Sequence, residues 1–404
     1  MRKILFGLIA IAVTAAPALV WAEEGNAPSY TSMLVEPLNK QHNHGSCVVE
    51  VSSGDVLVSW YKGSGERTAD DVKIVGARLA KGGEQFSEVF DLADFKGFPD
   101  CNSSMLLDKQ GKLWLFWPLI VANQWETAIL MSRSSTDYLK PGAPCWTWQS
   151  PILLEPGEPF AKDLTGFVDG LKAVLPKELF ERYADEIAEL KEKAADKYAR
   201  RSGWMPRAHG TVLPSGRIIL PLYSDGYSVS LMAISDDEGE TWTASRPILS
   251  IGGVQPSVVW KDDGTLAAFM RDNGPPPKRV IYSESKDNGM TWSLAIDHEL
   301  LDSGAGVQAD RLANGHWIVI HNDLENGRHS LAVHLSDDEG KTWKWVRHLE
   351  RFEKDQGAGS YPSAFQGADG LIHATYSFNS QAAGPGESIK YARFNEAWIM
   401  EGDK

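Results

Sequence analysis

The apolar positions of this chain fall in short runs, and a glycine that opens such a run recurs. Gly54-Asp-Val-Leu, Gly111-Lys-Leu-Trp, Gly216-Arg-Ile-Ile, Gly264-Thr-Leu, Gly315-His-Trp-Ile and Gly370-Leu-Ile-His share this form. In most copies Asp, Asn or Ser stands just before the glycine, as in Asp262-Asp263-Gly264. A turn that needs positive φ, followed by apolar residues, predicts a β-turn feeding a strand. A second pattern, Ser-x-Asp-x-Gly-x-Thr-Trp, follows several of these strands, at Ser235–Trp242, Ser285–Trp292 and Ser336–Trp343. A broken copy starts at Ser135-Thr-Asp137 and resumes at Thr147-Trp148, and a faded one lies between Leu79 and Phe86. The Asp bonds back to turn amides, the Gly takes positive φ, and the Trp plugs between sheets. That is a structural device and predicts no chemistry.

The intact boxes are 50 and 51 residues apart, and the glycine marks are 57, 105, 48, 51 and 55 apart. The long interval contains Leu179, Phe180, Tyr183, Ile187, Leu190, Ala194 and Tyr198 at helical spacing among Glu and Lys. Residues 158–201 are therefore expected to be one or two amphipathic helices inserted into a β fold. Six units of about 50 residues remain, each the size of a four-stranded blade. The expected fold is all-β: a six-bladed β-propeller with an inserted helical segment, occupying residues 23–404. A stacked solenoid would use shorter coils. The strand Ile389–Phe394 is expected to pair with an N-terminal strand and close the ring.

Arg2 and Lys3, the apolar stretch Ile4–Val20 and the Val20-Trp21-Ala22 cleavage pattern predict a signal peptide over residues 1–22. The expected location is periplasmic or secreted. No later stretch is apolar for long enough to cross a bilayer. The formal net charge of −14 disfavours nucleic acid and anionic membranes as partners. It leaves room for an anionic small ligand, because a local arginine cluster can outweigh the global field. Cys47, Cys101 and Cys145 match no zinc spacing. Cys47–Cys101 could bridge after export, or all three could be buried small side chains. No pattern points to a metal, nucleotide or redox cofactor, so none is expected.

A propeller gathers one or two residues per blade at the funnel of its central channel. Polar candidates near inner-strand positions are His44, Arg67, Asp70, Asp71, Asp100, Arg207, His209, Gln255, Arg271, Asp272, Arg328 and Tyr361. Each has a structural rival. Arg271 could brace the Asp272-Asn273-Gly274 turn, Arg328 could be a surface strand residue, and Tyr361 or His44 could be core. Asp70 could cap a turn, and the helices could be a lid, a partner surface or a solvated face.

With these residues in place, the chain resembles the sialidase (neuraminidase) family across nearly the whole predicted mature region. The boxes carry the fold part of that resemblance. The site part has to be carried over residue by residue. The family clamps a sialic acid carboxylate with three arginines, attacks with a tyrosine aided by a glutamate, and uses an aspartate as acid/base. By resemblance, Arg271 and Arg328 are the second and third arginines, and Tyr361 in Gly359-Ser-Tyr-Pro is the nucleophile. Arg67 and Asp70, or Asp71, stand in the acid/base loop Gly65-Glu-Arg-Thr-Ala-Asp-Asp71. At the first arginine's place stands His44, and at the glutamate's place Gln255, in Val254-Gln-Pro-Ser. An amide cannot take the phenol's proton, and one arginine fewer weakens carboxylate recognition. Arg207 and His209 enter blade 3 and are expected to face the funnel. The resemblance implies an exo-acting glycosidase on a sialic-acid- or uronate-containing glycan. His44 with Tyr361, Arg271 and Arg328 also resembles propellers that act on uronate polysaccharides as lyases or rhamnosidases. A non-catalytic propeller that binds glycan or protein is the alternative from a different class.

Overall fold

The computed structural model describes residues 27–207 and 209–403; the expected signal segment, residues 1–22, lies outside them. Six antiparallel sheets are arranged as the blades of a propeller. Blade 1 runs outward from His42–Glu50 through Val56–Gly63 and Lys73–Leu79 to Phe90–Ala93. The inner strands of the others are Ser104–Leu107, the split pair Met205–Pro206 and Thr211–Val212, Gly253–Trp260, Gln308–Arg311 and Gly357–Gln366. The ring closes as expected: Tyr30–Leu34 pairs with Gly384–Phe394, from Tyr30 opposite Phe394 to Leu34 opposite Lys390. The outermost strand of blade 6 is thus the first strand of the described chain.

The six glycine marks have one structural meaning. Gly54, Gly111, Gly216, Gly264, Gly315 and Gly370 all have φ between 77° and 97° and occupy the turn from inner to second strand. Each donates its amide to the carbonyl three residues back, for example Gly54 to Val51 at 2.7 Å and Gly370 to Gly367 at 2.9 Å. In the intact boxes the Asp accepts the Thr amide and hydroxyl, at 2.9 and 2.6 Å for Asp237 with Thr241. The Ser hydroxyl caps the Gly amide at 2.9 Å. Trp242 of blade 3 packs edge-on against Phe116 of blade 2, centroids 5.6 Å apart, which is the predicted plug between sheets. Gly239 is fixed by that packing, since a Cβ there would lie 2.4 Å from the Trp114 ring.

At the opposite end of the blades, three inner strands carry the same irregularity. Register shifts fall between His44 and Cys47, Val254 and Ser257, and Ser360 and Ser363. One residue in each takes left-handed backbone: Gly45 at φ 62°, Gln255 at 56° and Tyr361 at 54°. Asn102, just before the inner strand of blade 2, has φ 41°. A bulge re-aims a side chain out of the ladder. A non-glycine residue held this way costs on the order of 1–3 kcal/mol, a strain that concentrates at working sites. Pro256 and Pro362 follow two of these residues and suit a position that has left the ladder.

The helical insertion is four helices between blades 2 and 3: α1 (Gly157–Val174), α2 (Lys177–Arg182), α3 (Ala184–Ala195) and α4 (Lys197–Arg201). The main buried stripe is Phe160, Leu164 and Val168 of α1, joined by Ala194. It packs on Leu130, Ile152, Trp204 and Tyr227. Of the apolar positions read from the sequence, Tyr183 and Tyr198 are exposed. The pattern after residue 179 belongs to shorter helices laid outside α1. Arg246 of blade 3 forks onto Asp163 and ties the insertion to the ring. Among the described residues no helix is long and apolar enough to cross a membrane.

The considered Cys47–Cys101 bridge is not formed, and all three cysteines are free. Cys47 and Cys101 are packed as small apolar side chains in the core shared by blades 1 and 2. The Cys47 sulfur accepts the Met105 amide at 3.1 Å.

Candidate functional site

The bulged end of the blades presents the entries of the inner strands together with the loops between second and third strands. Tyr361 stands at its centre, 8% exposed. Arg271 Nη1, from the end of the second strand of blade 4, donates to the Tyr361 hydroxyl at 2.9 Å. Arg328 Nη2, from the corresponding loop of blade 5, reaches the same oxygen at 3.4 Å. The Arg328 guanidinium also lies 4.9 Å from the ring centroid, and that of Arg207 5.1 Å. The His44 ring meets the Tyr361 ring edge-on at 4.4 Å. Blades 1, 3, 4 and 5 therefore each send one predicted residue to the phenol that blade 6 supplies. Arg271 does not brace the turn beside it: Asp272 does, accepting the Gly274 and Arg279 amides.

Arg207 is the unusual member. It is 2% exposed, and its Nη2 donates to the Pro362 carbonyl at 2.8 Å. Its Nε and Nη1 have no partner among the described residues, and no carboxylate pairs with it there. Burial lowers it to about 10, so it is cationic at neutral pH. A buried unpaired guanidinium is costly, by several kcal/mol after relaxation. Its room comes from Gly306, where a Cβ would sit 2.5 Å from Arg207 Nε.

Beside this cationic side lies a network of blade 1. His42 contacts Glu387 at 2.8 Å and Glu66 at 3.4 Å, and the Tyr61 hydroxyl donates to Glu66 at 2.6 Å. Burial opposes charge on His42, but the hydrogen bonds to Glu387 and Glu66 outweigh it and raise it to about 9. The hydrogen bond from His42, against burial, lowers Glu66 to about 2. His44, two residues on, goes the other way. Burial, then the Arg328 charge, hold it well below the ordinary imidazole range. The site thus sets a neutral imidazole next to a protonated one.

The pH dependence follows with a definite sign. His42 contributes stability fully below its unfolded value of 6.5 and loses it as pH rises through about 9. Glu66 contributes above its unfolded value of 4.5 and loses it as pH falls through about 2. Both contributions are complete from pH 4.5 to 6.5. The NMR titration midpoint of His42 is expected near 9 and should fall on Glu66→Gln. A midpoint at or below 6.5 in the wild type would remove the ion pair.

Gln255 faces the third side of the hub. It bonds the Tyr223 phenol, which also accepts Asn102 Nδ2 at 3.0 Å. The Gln255 Oε1 is buried without a partner among the described residues. The remaining predicted residues do not reach Tyr361. Arg67 stacks over Trp125 at 5.2 Å. Asp70 accepts Asn123 Nδ2 at 2.8 Å, and Asp71 holds its own loop through the Ser64 amide and hydroxyl. His209 lies deeper in the channel, against the Val48 carbonyl and Ser363, and lines a cavity of about 350 Å³ with Asp310. Asp100 is engaged by Trp117 and Phe95. Sequence reasoning missed Tyr61, Glu66, His42, Tyr223 and Asn102. His42 and Glu66 had a signal, because each neighbours a residue that was singled out. Tyr223 closes an apolar strand and read as core.

Residues 205–374 match the family model for the BNR repeat-like domain. A sialidase of Micromonospora viridifaciens is 26% identical over 175 residues, which are 41% of this chain and 25% of that protein. The match thus spans about a quarter of the length of that curated relative. Among solved structures, a protein of unknown function from Dyadobacter fermentans DSM 18053 superposes with a TM-score of 0.66 at 16% identity, over 90% of this chain and 97% of that one. The NanB sialidase of Streptococcus pneumoniae superposes with a TM-score of 0.64 at 13% identity, over 90% and 71%.

Proposed function

We infer that this chain, a distant sialidase homologue with a BNR repeat-like domain in a six-bladed propeller, binds an acidic sugar at its hub and cleaves the glycosidic bond beside the bound carboxylate. One observation carries the reading: a phenol oxygen held by two arginines at 2.9 and 3.4 Å, with a third, unpaired guanidinium over its ring. Such a cluster has an excess of cationic donors that a carboxylate satisfies in charge-assisted pairs. In this reading Arg271, Arg328 and Arg207 take the carboxylate, and the Tyr361 oxygen attacks the anomeric carbon. A neutral phenol approaches a carboxylate-bearing carbon without charge repulsion. Its proton passes to His44, which burial and the Arg328 charge hold neutral and whose ring lies 4.4 Å from the Tyr361 ring. Gln255 takes no proton and serves to orient Tyr223.

A second reading has an observation of its own. Gln255 stands where the resembled family has its glutamate, and His44 is a neutral base beside the cationic cluster. That arrangement also suits β-elimination from a uronate, with the arginines acidifying the neighbouring C–H. Incubating the protein with a panel of sialosides and uronate oligosaccharides separates the readings. New reducing ends without ultraviolet absorbance mean hydrolysis, and an absorbing unsaturated product means elimination. Retention of glycan with neither product would replace both with a binding role.

A further inference from the structure

We propose that the hub continues into a second anion subsite between blades 5 and 6, so that the acidic sugar it binds belongs to a glycan whose adjoining residue is also anionic. The assignment rests on the acidic-sugar reading above and names the class of glycan. Beside the hub lies a cavity of about 680 Å³ whose walls include Ser303, Asn326, Arg328, Lys354 and Asn379. Ser303 lies on the connection from blade 4 to blade 5, and Lys354 on that from blade 5 to blade 6. Asn326 and Arg328 belong to the loop between the second and third strands of blade 5, and Asn379 ends the second strand of blade 6. The topology puts all of these at the bulged end of the ring, beside Tyr361.

The size is that of a small-ligand site, roughly 300–1,000 Å³. Most such sites are apolar, whereas Ala358 brings the only apolar side chain among the described residues that line this one. The Ser303 hydroxyl on its wall is buried with no partner among the described residues. A sugar hydroxyl supplies the partner that such a buried group requires.

Three cations meet at the cavity. Arg328 is exposed and serves both sites: its Nη2 reaches the Tyr361 hydroxyl at 3.4 Å, and its side chain lines the cavity. Lys354 is exposed on the opposite wall. Lys278 comes from blade 4, where a Cβ on Gly304 would lie 2.9 Å from its Nζ. Among the described residues none of the three forms an ion pair with a carboxylate. The acids around them are fewer or engaged elsewhere. Asp355 lines the cavity and Glu353 adjoins Lys354. Glu325 is paired with Arg279 at 2.7 Å. Asp272 faces Lys278 from within the fold but is held by the Gly274 and Arg279 amides. In a chain of net charge −14, a cavity with more cations than free acids is a local feature that selects an anion.

A sugar whose carboxylate lies on Arg271 and Arg328 is already at the mouth of this cavity, and the residue joined to it enters there. Lysine is a point charge without the arginine fork, so Lys278 and Lys354 accept a carboxylate or a sulfate alike. Beyond Asn379 a further cavity of about 630 Å³ opens on blades 6 and 1, which leaves the groove open to a longer chain.

Calorimetric titration of the full-chain Tyr361→Phe variant at low salt would use three disaccharides. All share one acidic sugar and differ in the residue joined to it, which is neutral, carboxylated or sulfated. A charged second residue is expected to tighten binding roughly 10-fold over the neutral one. The gap should narrow as salt rises. Lys278→Ala combined with Lys354→Ala should erase it and leave binding of the disaccharide with a neutral second residue as before. Lys354→Glu, at an exposed position, should turn the gain into a loss. The charged sugar that gains more identifies the anion. Equal affinity for all three disaccharides, or a gap that survives the lysine substitutions, would overturn the subsite and leave the hub reading standing. No binding of any of the three would overturn both.

Discussion

Tyr361→Phe is expected to lower kcat on an acidic glycan by roughly 10³-fold or more, with a much smaller change in KM. The substitution removes one oxygen. The ring that packs on His44, Arg207 and Arg328 stays, so the site should keep its shape. What is lost is the atom on which Arg271 and Arg328 converge, and with it the group that bonds to carbon. Cations preorganised around an oxygen that gains charge act mainly in the transition state. For that reason the effect belongs in kcat. The melting temperature should move by only a few degrees, since one partly exposed hydrogen-bond network is worth about 1 kcal/mol per bond. A variant with unchanged kcat would exclude Tyr361 from the chemistry.

Arg207→Met is expected to stabilise the unliganded protein while weakening its hold on an acidic sugar. The wild-type guanidinium is 2% exposed and lacks a carboxylate among the described residues. Replacing buried charged groups with apolar ones of similar volume stabilises other proteins by about 1–4 kcal/mol. A gain at the lower end is expected here, because the Pro362 carbonyl loses its donor. Thermal melts with and without an acidic oligosaccharide read both effects. The apo melting point should rise, and the ligand-induced shift should shrink. A large fall in apo stability would show instead that Arg207 is a structural brace and that its charge is compensated within the fold.

The sequence carried the fold further than the site, for a physical reason. A propeller repeats its turn chemistry, so the six positive-φ glycines and the boxes were visible as a period. The inner ends of the strands do not repeat their chemistry, because each blade contributes a different side chain to one pocket. Tyr361, Arg271, Arg328, Arg207 and His44 were found by register and resemblance, and they do converge. Asp70 and Asp71 stood in the right loop, but loop contacts absorb them at Asn123 and Ser64. The left-handed backbone of Gln255 and Tyr361 leaves no trace in composition beyond the proline that follows each. The helical insertion was legible as helix, but its buried face was not. The stripe Phe160, Leu164 and Val168 begins earlier than the charged periodic segment that drew attention.

The helices stand between the last strand of blade 2 and the first of blade 3. Phe160 packs edge-on to Trp204 at 5.6 Å, immediately before the short strand Met205–Pro206 that Arg207 follows. In the unliganded fold the insertion therefore buttresses the polypeptide that delivers that arginine.

Neutralising the sugar's own charge gives the most direct measurement. Calorimetric titration of the Tyr361→Phe variant with an acidic oligosaccharide and with its methyl ester isolates what the guanidinium cluster does, free of turnover. The ester is expected to bind roughly 10²-fold more weakly, as for loss of charge-assisted bonds, and that gap should largely close once Arg271→Ala and Arg328→Ala are added. Equal affinity for acid and ester in the variant that keeps all its arginines would contradict a carboxylate-binding hub.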